Sequence, residues 1–76
     1  MPTHLIKRYP NRKLYDTESN HYIHLKEIER LIDEGVAVQV IDVASGHDIT
    51  AAVLVQVLLA VSRRSVAAVA VAPLLH

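Results

Sequence analysis

The sequence predicts a small α+β domain: an N-terminal β-ribbon, an amphipathic helix, a β-hairpin and a C-terminal apolar helix. Three observations carry this reading. Short extended pieces separated by turn-forming residues fill positions 5–23, an apolar stripe at helical spacing runs through 24–35, and a β-branched run after 35 gives way to an almost wholly apolar stretch. At 76 residues the chain is one domain at most, and a chain of this length buries only about 60% of its unfolded surface. Hydrophobic residues make up 51% of it, and Tyr, present three times, is its sole aromatic type. Its apolar mass is therefore Val, Leu, Ile and Ala, enough for a compact core and too much for a disordered chain. Cysteine is absent, which excludes a disulfide framework and a thiolate metal site. Self-association is the expected source of further stability.

Leu5-Ile6-Lys7-Arg8-Tyr9 reads as a first extended piece. In Tyr9-Pro10-Asn11-Arg12, Pro fixes φ and Asn tolerates a left-handed backbone, so a turn is expected. Lys13-Leu14-Tyr15-Asp16 returns, Thr17-Glu18-Ser19-Asn20 turns again, and His21-Tyr22-Ile23 is a third short strand. Strands this short are marginal alone and need a partner surface. From His24 to Gly35, Leu25, Ile28, Leu31 and Ile32 share one helical face, charged residues fill the other, and Arg30–Glu34 forms an i,i+4 pair. Gly35 stands where a left-handed stop is wanted. Val36 to Val43 is a buried strand, Ser45-Gly46 a hairpin turn and His47-Asp48-Ile49 the returning strand. Thr50 is placed to cap a helix from Ala51 to about Ser62, whose sole polar interior residue is Gln56. A helix apolar nearly all round is either fully buried or covered by another copy, and full burial is hard in so short a chain. Val53, Leu54, Val57, Leu58 and Val61 are the expected self-association face. Ser65 to Leu75 fits a strand or an unstructured end equally well.

Net charge is zero, with eight basic and eight acidic residues, but the charges are segregated. Lys7, Arg8, Arg12 and Lys13 crowd the first 13 residues with no acid among them, and beyond Asp48 only Arg63 and Arg64 are charged. No apolar leader segment opens the chain, and neither apolar piece of the tail reaches the roughly 20 residues that span a bilayer. Catalysis is not expected, for there is no Cys nucleophile, no phosphate-cradling Gly loop and no Gly-x-Ser-x-Gly elbow, and carboxylate pairs such as Asp16 with Glu18 arise by chance. His21, His24 and His47 are read as solvent-facing or capping residues and not as a zinc set, so no metal and no cofactor are expected.

The basic head is the informative part. Lys7 to Tyr15 interleaves four cations with Tyr9, Tyr15 and Asn11 across a turn. A two-stranded ribbon fits the major groove of duplex DNA, Lys and Arg neutralise phosphates, and Arg12 and Asn11 match the edges of guanine and adenine. The competing reading is a solvated cationic face with the Tyr rings packed beneath it. Tyr9 and Tyr15 are divided evenly between core packing and DNA contact.

The string Ile6-Lys7-Arg8-Tyr9-Pro10-Asn11-Arg12-Lys13-Leu14-Tyr15-Asp16-Thr17 resembles the opening signature of the polyhydroxyalkanoate (polyhydroxybutyrate) accumulation regulators. The similarity continues through Tyr22-Ile23, Leu25, Ile28, Asp42, Gly46, Asp48-Ile49-Thr50, Val53-Leu54 and Gln56, covering about Leu5 to Leu58. The resemblance implies the N-terminal DNA-binding domain of a bacterial repressor. Such a regulator acts on its own gene and on genes for phasins, the granule-coating proteins. It also binds the polymer, which draws it off DNA. It implies a cytoplasmic place, at the nucleoid or the granule surface. His24 stands where the family usually has a hydroxyl residue, and the tail from Leu59 onward reads as unlike the family. The expected division is therefore a DNA-binding domain at 1–62 and an apolar tail at 63–76. The alternative is an interaction module that binds polymer or protein without DNA.

Overall fold

The computed structural model describes the backbone of residues 3–71 and the side chains of residues 3–65. It contains β1 (His4–Arg8), β2 (Leu14–Asp16), β3 (His21–Ile23), α1 (Leu25–Asp33), β4 (Val38–Asp42) and α2 (Thr50–Val71). The four strands form one sheet in the order β3-β2-β1-β4. β1 pairs antiparallel with β2 and parallel with β4, and β2 pairs antiparallel with β3. The expected ribbon is thus part of a larger sheet with β1 inside it. The second edge of β1 bonds to β4, which α1 carries back alongside it.

Register divides the sheet into two unlike faces. Ile6 stands opposite both Asp16 and Val40, and Leu14 opposite Arg8 and Ile23. This face is covered by the helices: Ile6, Leu14, Val40, Ile28 of α1, and Val53 and Val57 of α2 form one buried cluster. Ile6, Ile28, Val40 and Val53 are almost wholly buried, and each such side chain contributes about 1.5–3 kcal/mol as an upper figure. Leu25 and Leu31 flank the cluster, whereas Ile32, at the margin of the expected stripe, stays exposed. Among the described residues no helix covers the opposite face.

The loops follow from local chemistry. At the end of α1 the Gly35 amide donates to Ile32 O and the Val36 amide to Leu31 O, with Gly35 at φ 78°. This is the paired closure that a left-handed glycine permits. His24 begins the helix without a hydroxyl, but the Glu27 carboxylate accepts from the His24 amide at 2.7 Å and supplies half of a capping box. That bond is the main reason the Glu27 carboxyl lies below its ordinary value.

After β4 the expected hairpin is reduced to one antiparallel bridge, Ile41 to Asp48. The cause is a competing task. The Asp48 carboxylate accepts from the Thr50 amide at 2.9 Å and from its hydroxyl at 2.6 Å, so Asp48 and not Thr50 caps α2. The Thr50 hydroxyl meanwhile accepts from the Val40 amide, and the Asp42 amide donates to His47 O, so the 47–50 segment closes the outer edge of β4. The helix α2 runs past the end expected near Ser62 to Val71, so 65–71, where the sequence fits a strand or an unstructured end, is helical; the rest of that stretch, 72–75, lies outside the described residues.

One polar group sits in the core layer. Asp16 is 5% exposed. Its Oδ1 accepts from the Glu18 and Ser19 amides and bonds to the His4 ring, which ties β2, the 17–20 turn and the start of β1 together. Burial pushes the Asp16 carboxyl up, but the Glu18 amide, the His4 ring and Ser19 together hold it below its ordinary value of 3.8. A depressed folded-state value gives stability that is present above the unfolded value and lost as pH falls through the folded one. Urea melts should therefore show a loss of stability below about pH 3.8, and Asp16→Asn should cost about 1–3 kcal/mol at pH 7 while making the acid loss shallower.

Candidate nucleic-acid interface

The turn between β1 and β2 presents the basic run. The Arg12 amide donates to Tyr9 O and the Tyr9 amide to Lys13 O, each at 2.9 Å, so the four-residue turn 9–12 ends in a residue that bulges out of the strand register. That residue is Arg12, at φ 66°. The left-handed position falls on arginine and not on Asn11, whose type tolerates it best. Asn11 serves the loop otherwise: its Oδ1 accepts from the Lys13 amide at 3.1 Å. Pro10, Asn11, Arg12 and Lys13 are all exposed.

The pleat splits the cations. Lys7 pairs across the sheet with Tyr15 and Ile41 and lies on the uncovered face, exposed. Arg8 lies on the helix-covered face, 4.0 Å from the Asp42 carboxylate. Asp42 is held below its ordinary value first by the Ser45 hydroxyl and amide, with Arg8 adding a smaller attraction. Arg12 and Lys13 occupy the hairpin tip between the two faces.

Tyr9 and Tyr15 meet a partner that the sequence reading placed on β3 but did not single out for the site. Tyr15 and Tyr22 face each other across β2 and β3, with centroids 5.3 Å apart, and Tyr9 lies 6.5 and 6.3 Å from these two. All three contacts are edge-to-face, the arrangement the ring quadrupole favours. The Lys13 ammonium sits 5.3 Å from the Tyr22 centroid, a cation–π contact. Tyr22 is 61% exposed, so this cluster is a surface platform and not a core. The signal that finds Tyr22 is the register: a four-residue turn at 17–20 sets it opposite Tyr15.

On the other side of the hairpin lies an open groove of about 750 Å³, walled by Arg8, Tyr9, Arg12, Asp42, Gln56 and Arg63 over an apolar floor that includes Leu14 and Leu25. The expected self-association residues are divided between inside and outside. Val53 and Val57 are spent in the chain's own core, Leu54 and Val61 are half-buried, and Leu58 is 64% exposed. Val55 and Leu59 are also exposed. Among the described residues no three His, Asp or Glu side chains gather as metal ligands, and no helix is long and apolar enough to cross a membrane.

The chain is 44% identical over 55 residues to an uncharacterized protein in the phbA 5′ region of Thiocystis violacea, covering 72% of this chain and 40% of that protein. It is 46% identical over 55 residues to an uncharacterized protein of Allochromatium vinosum, covering 72% of this chain and 36% of that one. The chain thus spans about two fifths of the length of these curated relatives. No solved structure matches it. The PHB/PHA accumulation regulator DNA-binding domain matches residues 5–65, which carries the likeness past Leu58 into the stretch that the sequence reading set apart. With that match over most of its length, the chain belongs to the family of DNA-binding domains of PHB/PHA accumulation regulators.

Proposed function

We propose that this chain is the DNA-reading part of a transcriptional repressor of storage-polymer genes, phasin genes among them, acting without catalysis or cofactor. The observation that carries the reading is the hairpin tip. Asn11, Arg12 and Lys13 project from a turn braced by a Tyr platform, and Arg12 sits in a backbone conformation that an arginine adopts at a cost. Strain of that kind marks positions where function outweighs stability. Lys7, Arg8 and Lys13 act on phosphates, which give affinity without sequence information, and Arg12 and Asn11 read base edges. Tyr9 and Tyr15, with Tyr22, support the tip and offer ring edges to the sugar-phosphate backbone. The site of action is cytoplasmic, at the nucleoid or the granule surface.

The polymer draws the repressor off its operators, and the exposed apolar residues of α2 support such docking as well as pairing with a second copy. Ala51, Val55, Leu58 and Ser62 recur at intervals of four, three and four, the spacing of a two-helix seam. Leu58, with Val55 one turn before it, is the centre of this face.

Four outcomes are expected. In fluorescence anisotropy a phasin-promoter duplex binds more tightly than a random duplex, with log affinity falling by about 0.9 per phosphate contact against log salt; binding that ignores salt would instead favour an apolar interaction module. Arg12→Ala lowers discrimination between the two duplexes by about 1–3 kcal/mol. Arg12→Gly loses the same discrimination yet leaves stability unchanged or raised by up to about 1 kcal/mol, since relief of the left-handed backbone is partly offset by glycine's unfolded-state entropy. Finally, Leu58→Glu shifts the chain toward monomer in sedimentation analysis without lowering its melting temperature, because Leu58 lies outside the core.

A further inference from the structure

Two features of α2 are left unexplained by its apolar character: the lone Gln56, and the Arg63-Arg64 pair that interrupts the run. Arg64 has a structural task. Its guanidinium donates to the Glu29 carboxylate at 2.6 Å and clips α2 to α1. Arg63, one residue earlier and about 100° round the helix, lies in the wall of the groove beside the hairpin, with Gln56 two turns before it on the same stripe. Leu59 and Ala60 continue that stripe between them.

We infer that this groove seats a backbone phosphate of the duplex, with Arg63 as a DNA contact donated by α2. Arg8 and Arg12 reach the groove from the hairpin and Arg63 from the helix, so three guanidinium groups line it against the one carboxylate of Asp42. The surplus of two positive charges at the mouth of a partly apolar groove favours a compact anion, and guanidinium is the side chain best shaped to grip phosphate oxygens. Among the described residues Arg63 has no acidic partner, in contrast to Arg8 and Arg64. Arg12 is common to the hairpin tip and the groove, so a phosphate held here and a base edge read at the tip belong to one binding event. The contact surface then extends one residue beyond the boundary expected at 62. It also ties the hairpin to the helix across a gap of some fifty positions in sequence.

This inference rests on the DNA-binding reading, and the experiment separates the two. Affinity of the 76-residue chain for the promoter duplex is measured across salt for the wild type, Arg63→Ala, Arg63→Lys, Arg64→Ala and Arg12→Ala. Arg63→Ala should weaken binding roughly tenfold near 0.1 M salt and make the log–log slope shallower by about 0.9, the signature of one lost phosphate. Arg63→Lys should keep the slope, and Arg64→Ala should lower the melting temperature while leaving the slope alone. If Arg12→Ala weakens binding but Arg63→Ala leaves affinity and slope unchanged, the groove contact is overturned and the DNA reading stands. If the wild type binds no duplex, both fall. A parallel titration with inorganic phosphate, followed through the Arg63 side-chain NMR signal, covers the remaining occupant. Saturation by free phosphate together with an unchanged DNA slope in Arg63→Ala would assign the groove to a small anion and overturn the duplex as its ligand.

Discussion

The parallel pairing of β1 with β4 is the constraint on which the rest of this structure depends. A parallel neighbour cannot be reached by a tight turn, so the chain must cross over, and α1 is that crossover. Because β2 already occupies the other edge of β1, the strand becomes the interior of the sheet, and Ile6 is buried from both sides. The crossover brings α1 onto one face, α2 follows onto the same face, and no described element covers the other. Every later feature, including the Tyr platform, the divided basic run and the groove, follows from having one covered face and one open face.

This arrangement also explains how so small a sheet keeps its edges from pairing with another chain. The outer edge of β4 is closed by the 47–50 segment, with the Thr50 hydroxyl accepting a strand amide while Asp48 turns away to cap α2. The other edge, β3, is three residues long and so offers little to extend. Asp16 performs the equivalent task inside, satisfying two turn amides and the His4 ring at once. A buried carboxylate without those donors would cost several kcal/mol; with them it fixes the strand ends in register.

The two helices play opposite parts. α1 is amphipathic and finished at both ends, by Glu27 at its start and Gly35 at its close, so it depends little on its neighbours. α2 spends Val53 and Val57 on the core and leaves Val55, Leu58 and Leu59 in water. These exposed apolar residues are what the proposed second contact of α2 would use. The Arg63 groove and the Leu58 face are different sides of this one helix.

The sequence by itself determined the local elements, because they are set by neighbours in the chain. The stripe of α1, the left-handed Gly35, the turn at 9–12 and the apolar character of α2 are all legible from residue type and spacing. The twelve-residue signature at 6–17 made the family legible as well, which is a matter of identity and not of physics. Tertiary structure decided what depends on distant partners. That β1 lies between β2 and β4 cannot be read from β1, whose pattern suits an edge ribbon equally well. That Lys7 and Arg8 part to opposite faces follows from the period of a strand, but which face is open depends on where the helices land. Tyr22 joined Tyr9 and Tyr15 through strand register, Asp48 replaced Thr50 as cap because the Thr50 hydroxyl was needed by β4, and Arg63 reached the hairpin because α2 packs across the sheet. Each of these is a contact between residues far apart in sequence, and such contacts are fixed only when burial of Ile6, Ile28, Val40 and Val53 selects one packing among the many that the local elements allow.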